Sequence, residues 1–328
     1  MSTPRRLRNL LSLDDFEPAA RRMLPRPLFG YISGGVETDA SLRGNRAAFQ
    51  EHHFVPRVLV DTRGRSLRRT ALGRTCELPF GIAPMGGTAL AAYEGDTVLA
   101  RAAAALDIPM ILSGATLTTL ERVREVGPTA WFQAYLPGDA AIVTRLPHLE
   151  NTGAARIPVL SRSLAPLPTA RDGLDWRHLD LVRSLWKGKL VLKGVLAADD
   201  VRIARDGGVD GVIVSNPGGR QLDGSVAPLR MLPAVVAQAG AMTVMMDSGI
   251  RRGSDVLKAL ALGADFVFVG RPFLYAAAIA GEPGALHAAR LLRDEIDRDM
   301  AFLGLLQLGQ LGQLGPGMLV SATGPISV

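Results

Sequence analysis

The sequence is poor in the residues that build several kinds of site. It holds one cysteine, Cys76, in 328 residues, which excludes an intrachain disulfide and any cysteine-rich metal cluster and fits a reducing compartment. Aromatic residues make up 5% of the chain, and no nucleic-acid module interleaves them with the basic stretches "TPRRLRNL" and "RGRSLRRTALGR". The net charge of +6, from 37 Lys plus Arg against 31 Asp plus Glu, therefore reads as solvated surface, and no nucleic-acid partner is expected. No apolar run reaches the roughly 18 uninterrupted residues of a membrane span, and no N-terminal run has a signal-peptide pattern. The expectation is a cytoplasmic protein without a membrane span. The five histidines, His52, His53, His148, His178 and His287, have no metal-ligand spacing beyond the adjacent His52–His53 pair, so no metal is expected.

What the sequence does contain is an ordinary globular balance, 48% hydrophobic and 21% charged, with a regular rhythm from Leu78 onward. Short apolar runs, "LPFGIAP", "PMILSGA", "AWFQAY", "ARIPVLS", "KLVLKG", "GVIVSN", "TVMMDSG" and "FVFVG", alternate with amphipathic or alanine-rich segments such as "EGDTVLARAAAALD", "DAAIVTRLPHLEN" and "GSDVLKALALG". This alternation predicts parallel strands linked by helices. Eight strand candidates with no sign of a reversed strand order predict a closed (β/α)8 TIM barrel in the α/β class rather than an open doubly wound sheet. Residues 1–77 read as an N-terminal helical extension, 78–315 as the barrel with a closing helix, "ALHAARLLRDEIDRDMAFLGLLQL", and 316–328 as a loose tail. The fourth strand is irregular: its run carries Pro158, which cannot donate a ladder hydrogen bond, and no clear helix follows until "WRHLDLVRSLW".

A barrel of this kind builds its site at the C-terminal ends of its strands. Those ends carry "APMGG", Ser113, Gln133 with Tyr135, Lys193, Ser215 with Asn216, Asp247 with Gly249 and Arg251, and Gly270 with Arg271. Glycine followed by arginine after both of the last two strands has the makings of a phosphate cradle, because glycine admits close backbone approach and arginine adds charge-assisted hydrogen bonds. Lys193, ending an apolar strand, either reaches solvent or meets an anion or polarisable ligand. A flavin ring suits it, since a cation near the N1–C2=O edge stabilises the anionic reduced form.

The blocks "GYISGG", "FVPRVLVD", "LPFGIAPMG", "WFQAY", "LVLKGVLAADD", "VDGVIVSNPGGRQLDG", "DSGIRRGSDVLKALALGADFVFVGRPFL" and "LLRDEIDRDMAFLG" occur in one order from about Leu28 to Leu311. Together they resemble the FMN-dependent α-hydroxy acid oxidases and dehydrogenases, which include glycolate oxidase, lactate oxidase and mandelate dehydrogenase. The resemblance implies an FMN cofactor, a small-molecule carboxylate substrate and a homo-oligomer, family members often being tetramers. It implies that Ser113, Gln133, Lys193 and Ser215 contact the flavin and ribityl chain, with the backbone around Ala83 and Met85 behind the ring. Asp247, Gly249, Arg251, Gly270 and Arg271 fall at the ribityl and phosphate end. Tyr31, Tyr135 and Arg220 match groups that hold the substrate's carboxylate and hydroxyl, with Asp223 in the same block.

The departures are as informative. The family's catalytic base is a histidine in "SNHGG", and this chain has Pro217 in that place. Relatives end the fourth strand in a "TVD"-like run followed by an arginine and a long covering loop. Here "PVLSRSLAPLPTARD" has no clear equivalent and is shortened, leaving Arg171 as the one candidate for that arginine. Ala115 is small where glycolate oxidase-like members have tryptophan, which fits a roomy pocket. Three readings stay open: conventional 2-hydroxy acid oxidation with a displaced base, altered redox chemistry on a related substrate, or a flavin-binding partner protein without turnover.

Overall fold

The computed structural model describes residues 4–136 and 173–322. The helix expected over 139–151, the fourth strand with Pro158, the loop after it with Arg171, and His148 lie outside the described residues. The N-terminal segment forms helices α1 (Phe16–Arg21), α2 (Arg26–Ser33) and α3 (Ala40–Gln50), followed by the short strand β1 (His52–Phe54) and a hairpin of β2 (Arg69–Ala71) and β3 (Arg74–Cys76). The barrel strands are β4 (Phe80–Ile82), β5 (Ile111–Ser113), β6 (Trp131–Gln133), β7 (Val191–Val195), β8 (Gly211–Val214), β9 (Thr243–Met246) and β10 (Phe266–Val269). Each lies within one of the apolar runs picked out by composition, except that β7 ends one residue beyond its run.

Pairing is parallel along β4–β10–β9–β8–β7 and along β5–β6, and an Ile82–Met110 bridge joins the two sets. The first barrel strand therefore lies between the second and the last, the arrangement of a closed barrel rather than an open sheet. Helices fill the connections: α4 (Thr88–Ala91), α5 (Gly95–Ala105), α6 (Leu120–Val126), α7 (Trp176–Leu185), α8 (Ala198–Asp206), α9 (Pro228–Ala239) and α10 (Gly253–Ala261). Among the described residues no helix is long and apolar enough to cross a membrane.

The strands read as continuous apolar runs because both faces are covered. Ile213, Met245, Phe266 and Phe268 pack together inside the barrel, while Val212, Val214, Val244, Met246, Val267 and Val269 belong to the larger cluster shared with the helices. Phe268 stands 5.5 Å from Phe266 and meets Trp131 edge-on at 5.4 Å between ring centroids. Burial of each such ring contributes about 1.5–3 kcal/mol.

Two expectations change at the C-terminal end. The closing helix expected to begin near Ala285 and run to Leu308 belongs to a longer element, α11 (Arg271–Phe302), which starts directly after β10. It breaks at Ala280 and Gly281, the latter at φ +57°, two residues before Pro283, because proline removes a helical N–H and clashes with the preceding turn. Within the stretch read as a loose tail, Leu319–Ser321 form β11, paired antiparallel with β1 through His53 and Val320. That pairing supplies these residues with backbone partners that the local composition does not announce.

Candidate active site

Side chains alternate along a strand, so the residue two beyond an inward one also points inward. By that rule Ser215 follows Ile213 and Asp247 follows Met245 on the barrel's inner face, and Lys193 is in register with Ile213. The three meet at the mouth. Lys193 Nζ lies 2.8 Å from Asp247 Oδ2 and donates to Ser215 Oγ at 3.0 Å. Asp247 Oδ1 also accepts from the Ser248 hydroxyl at 2.9 Å. The ion pair is what makes a lysine tolerable at a largely buried strand end.

Elsewhere in the barrel, β5 and β6 place Ser113 opposite Gln133. The serine hydroxyl donates to Gln133 Oε1 at 3.2 Å and accepts from the Ala115 backbone N–H at 3.2 Å. Ala83 and Met85, after β4, border Gly270, after β10. A Cβ on Gly270 would stand 3.6 Å from Met85 Sδ and 3.7 Å from Ala83 Cβ.

Cations gather in the segments that follow β8, β9 and β10. Arg271 donates from Nε to Ile32 O at 2.9 Å and from Nη2 to Gly34 O at 2.9 Å, at the C-terminal end of α2. Arg220 donates to Tyr31 O at 2.6 Å and to the same Gly34 O at 3.1 Å, its guanidinium 4.6 Å from the Tyr31 ring centroid. Arg251 donates to Ile250 O at 3.0 Å. These guanidinium groups are thus held by backbone carbonyls, which neutralise no charge. Burial first, then Arg220 and Arg251, pushes the Arg271 pKa down to about 10, and burial followed by the neighbouring Arg46 lowers that of Arg251. A guanidinium stays protonated at neutral pH all the same, so the crowding disfavours this arrangement until an anion joins it.

The N-terminal segment is built into this site in ways the sequence did not signal. Asn45 of α3 and Asn216 exchange reciprocal amide hydrogen bonds at 2.8 and 2.7 Å, both groups buried. Arg46 donates to Gly249 O at 2.6 Å and to Asp255 at 3.0 Å. Gly249, at φ +88°, has its close approach here: a Cβ would stand 2.5 Å from Asn45 O. Asp223 accepts from the Thr38 N–H and hydroxyl at 3.0 and 2.6 Å and from Ser41 N–H at 2.9 Å, so it caps the start of α3 from across the molecule. Asn45 and Arg46 sit on a helix with no motif of their own, and only contacts across most of the chain reveal them.

Tyr31 and Tyr135 are exposed, Tyr31 beneath Arg220 and Tyr135 beside Gly114. Pro217 lies in the turn that follows β8. There Gly219 N–H donates to Asn216 O at 2.8 Å and Gly218 N–H to Ser248 Oγ at 3.0 Å. Its φ is +25°. The described histidines lie elsewhere: His52 and His53 in β1, His178 in α7 with Asp175, and His287 in α11, hydrogen-bonded to Leu10 O at 2.9 Å.

A model of the FMN-dependent dehydrogenases matches residues 20–164 and 166–315. The chain belongs to that family. It is 35% identical to an L-lactate oxidase from Nostoc sp. over 91% of this chain and 95% of the relative. It is also 35% identical to a 4-hydroxymandelate oxidase from Amycolatopsis orientalis, over 93% of this chain and 97% of the relative. The solved structure of a soluble mutant of the membrane-associated (S)-mandelate dehydrogenase from Pseudomonas putida superposes with a TM-score of 0.84 at 32% identity, covering 95% of this chain and all of that one. FMN is the family's cofactor, and the described residues fit it: a cluster of guanidinium groups held only by carbonyls suits a phosphate, and a lysine at the barrel mouth suits the flavin edge.

Proposed function

We propose that the protein is an FMN-dependent oxidoreductase acting on a 2-hydroxy acid or a related small carboxylate, with redox chemistry altered at the proton-transfer step. One observation carries the reading. The turn after β8 keeps Ser215 on Lys193 and holds Arg220 over Tyr31, yet at Pro217 it offers neither an ionisable group nor an N–H.

In this reading Lys193, with Ser215 and Asp247, faces the flavin edge and ribityl chain; Ser113 and Gln133 border the ring, and Ala83 and Met85 back it. Arg251 and Arg271 take the phosphate, with Gly270 leaving space around them. Arg220, Tyr31 and Tyr135 orient the substrate's carboxylate. The bound cofactor supplies a two-electron acceptor. The electron pair passed to the flavin would then be freed without a base from residue 217, either as a base carried by the substrate takes the proton or as the bond to a departing carbon dioxide breaks in place of a C–H bond. A cytoplasmic homo-oligomer is part of the same reading, and its assembly is tested by light scattering on the purified holoprotein.

The test of the chemistry is anaerobic mixing of the FMN-loaded protein with a panel of aliphatic and aromatic 2-hydroxy acids. Simple members should leave the flavin yellow over many minutes, while substrates carrying an internal base should bleach it. Prompt bleaching by lactate, glycolate or mandelate would replace this reading with conventional oxidation through a displaced base.

A further inference from the structure

Helix α11 starts at Arg271, and Tyr275 follows one turn later on the same face. Tyr275 is 1% exposed, its ring stacks on Phe29 of α2 at 6.1 Å between centroids, and its hydroxyl oxygen has no hydrogen-bond partner. An orphaned buried hydroxyl is a standing penalty that phenylalanine would avoid, so something must use it.

Its surroundings say what. Side chains on a helix lean toward the N-terminus, and one turn rises about 5.4 Å, comparable to the reach of a phenol. The ring therefore runs back toward Arg271 and the helix start. The charged groups acting on it are Glu17 of α1 and the guanidinium groups of Arg271, Arg251 and Arg220. Three cations against one carboxylate favour an anion, and those cations hydrogen-bond backbone carbonyls. At the start of α11 Pro272 has no N–H and those of Phe273 and Leu274 donate to Gly270 O, which leaves the Arg271 N–H as the backbone donor there.

We propose that the Tyr275 hydroxyl is a further ligand of the cofactor's phosphate, donating a hydrogen bond to an oxygen that Arg271 and Arg251 also hold. The inference rests on the placement of the phosphate end given above. Phosphate binding would turn an unsatisfied buried donor into a charge-assisted hydrogen bond, so the tyrosine stabilises the loaded protein while burdening the empty one.

That opposition of signs is the test. Apoprotein of the wild type and of Tyr275→Phe is titrated with FMN and, separately, with riboflavin, which lacks the phosphate, following quenching of flavin fluorescence; melting of each apoprotein is recorded alongside. The expected result is FMN affinity about tenfold weaker in Tyr275→Phe, riboflavin affinity unchanged, and an apoprotein that melts at the same temperature or higher. Unchanged FMN affinity, an equal loss for riboflavin, or a less stable apoprotein would overturn the proposal. Arg271→Gln separates the two ways of failing. If it too leaves FMN affinity intact, the phosphate placement falls; if it weakens FMN binding while Tyr275→Phe does not, only the tyrosine's role falls.

Discussion

Replacement of Pro217 separates its backbone effect from its chemical one. Either Pro217→Asn or Pro217→His surrenders the stiffness proline gives the unfolded chain, about 0.4–1 kcal/mol. With an unfolding entropy of about 2.1 cal/mol/K per residue over 328 residues, each should melt roughly 0.5–1.5 °C below wild type, and by the same amount. Only histidine adds a proton acceptor, so anaerobic flavin reduction by 2-hydroxy acids should be about 10²–10⁴ faster in Pro217→His than in Pro217→Asn. Scanning calorimetry and stopped-flow absorbance read the two effects independently. A Pro217→Asn protein that melts many degrees below wild type would refute the expectation that proline contributes only chain stiffness to this turn. A Pro217→His protein that binds FMN yet is reduced no faster than its asparagine counterpart would show that substrate is not presented to residue 217.

Other consequences are as direct. Lys193→Met breaks the 2.8 Å pair with Asp247 at a mostly buried position and should cost about 2–4 kcal/mol in urea unfolding, with weaker FMN binding in the same preparation. Asn45→Ala removes both amide bonds to Asn216; the expected loss is about 2–3 kcal/mol, read as a lower denaturation midpoint with an unchanged slope. The Thr38 hydroxyl, then the backbone N–H of Ser41, holds the Asp223 carboxyl below the ordinary aspartate range. A folded pKa below the unfolded one means stability that is present above about pH 4 and is lost as pH falls through the folded value. The melting-temperature gap between wild type and Asp223→Ala should therefore be constant from neutral pH to about pH 4 and shrink in stronger acid.

The barrel was legible because "GVIV", "TVMM" and "FVFV" are apolar on both faces and occur at helix-length intervals, a local pattern that survives without knowledge of partners. Residues at strand ends were legible for the same reason: Lys193, Ser215 and Asp247 occupy inward positions fixed by a period of two. What escaped were groups whose meaning lies in distant partners. Asn45 and Arg46 look like ordinary helix residues until Asn216 and Gly249 are placed against them. Tyr275 reads as core until its hydroxyl is found without a partner. Leu319–Ser321 sit among glycine and proline, and only β1 makes them a strand. By its place after β9, Gly249 reads as an approach to a phosphate, but the contact it makes room for is the backbone of α3.

Pairing of β4 with β10 has a consequence for synthesis. Phe80–Ile82 leave the ribosome early, but their partners Val267–Val269 are among the last barrel residues to be made. Until then the first strand keeps one edge with exposed N–H and C=O groups, a template for pairing with another chain. Asn45 likewise waits for Asn216. A nascent chain stalled before β10 should thus be trapped by chaperones or aggregate, and closure should come as one late event once the C-terminal strand emerges.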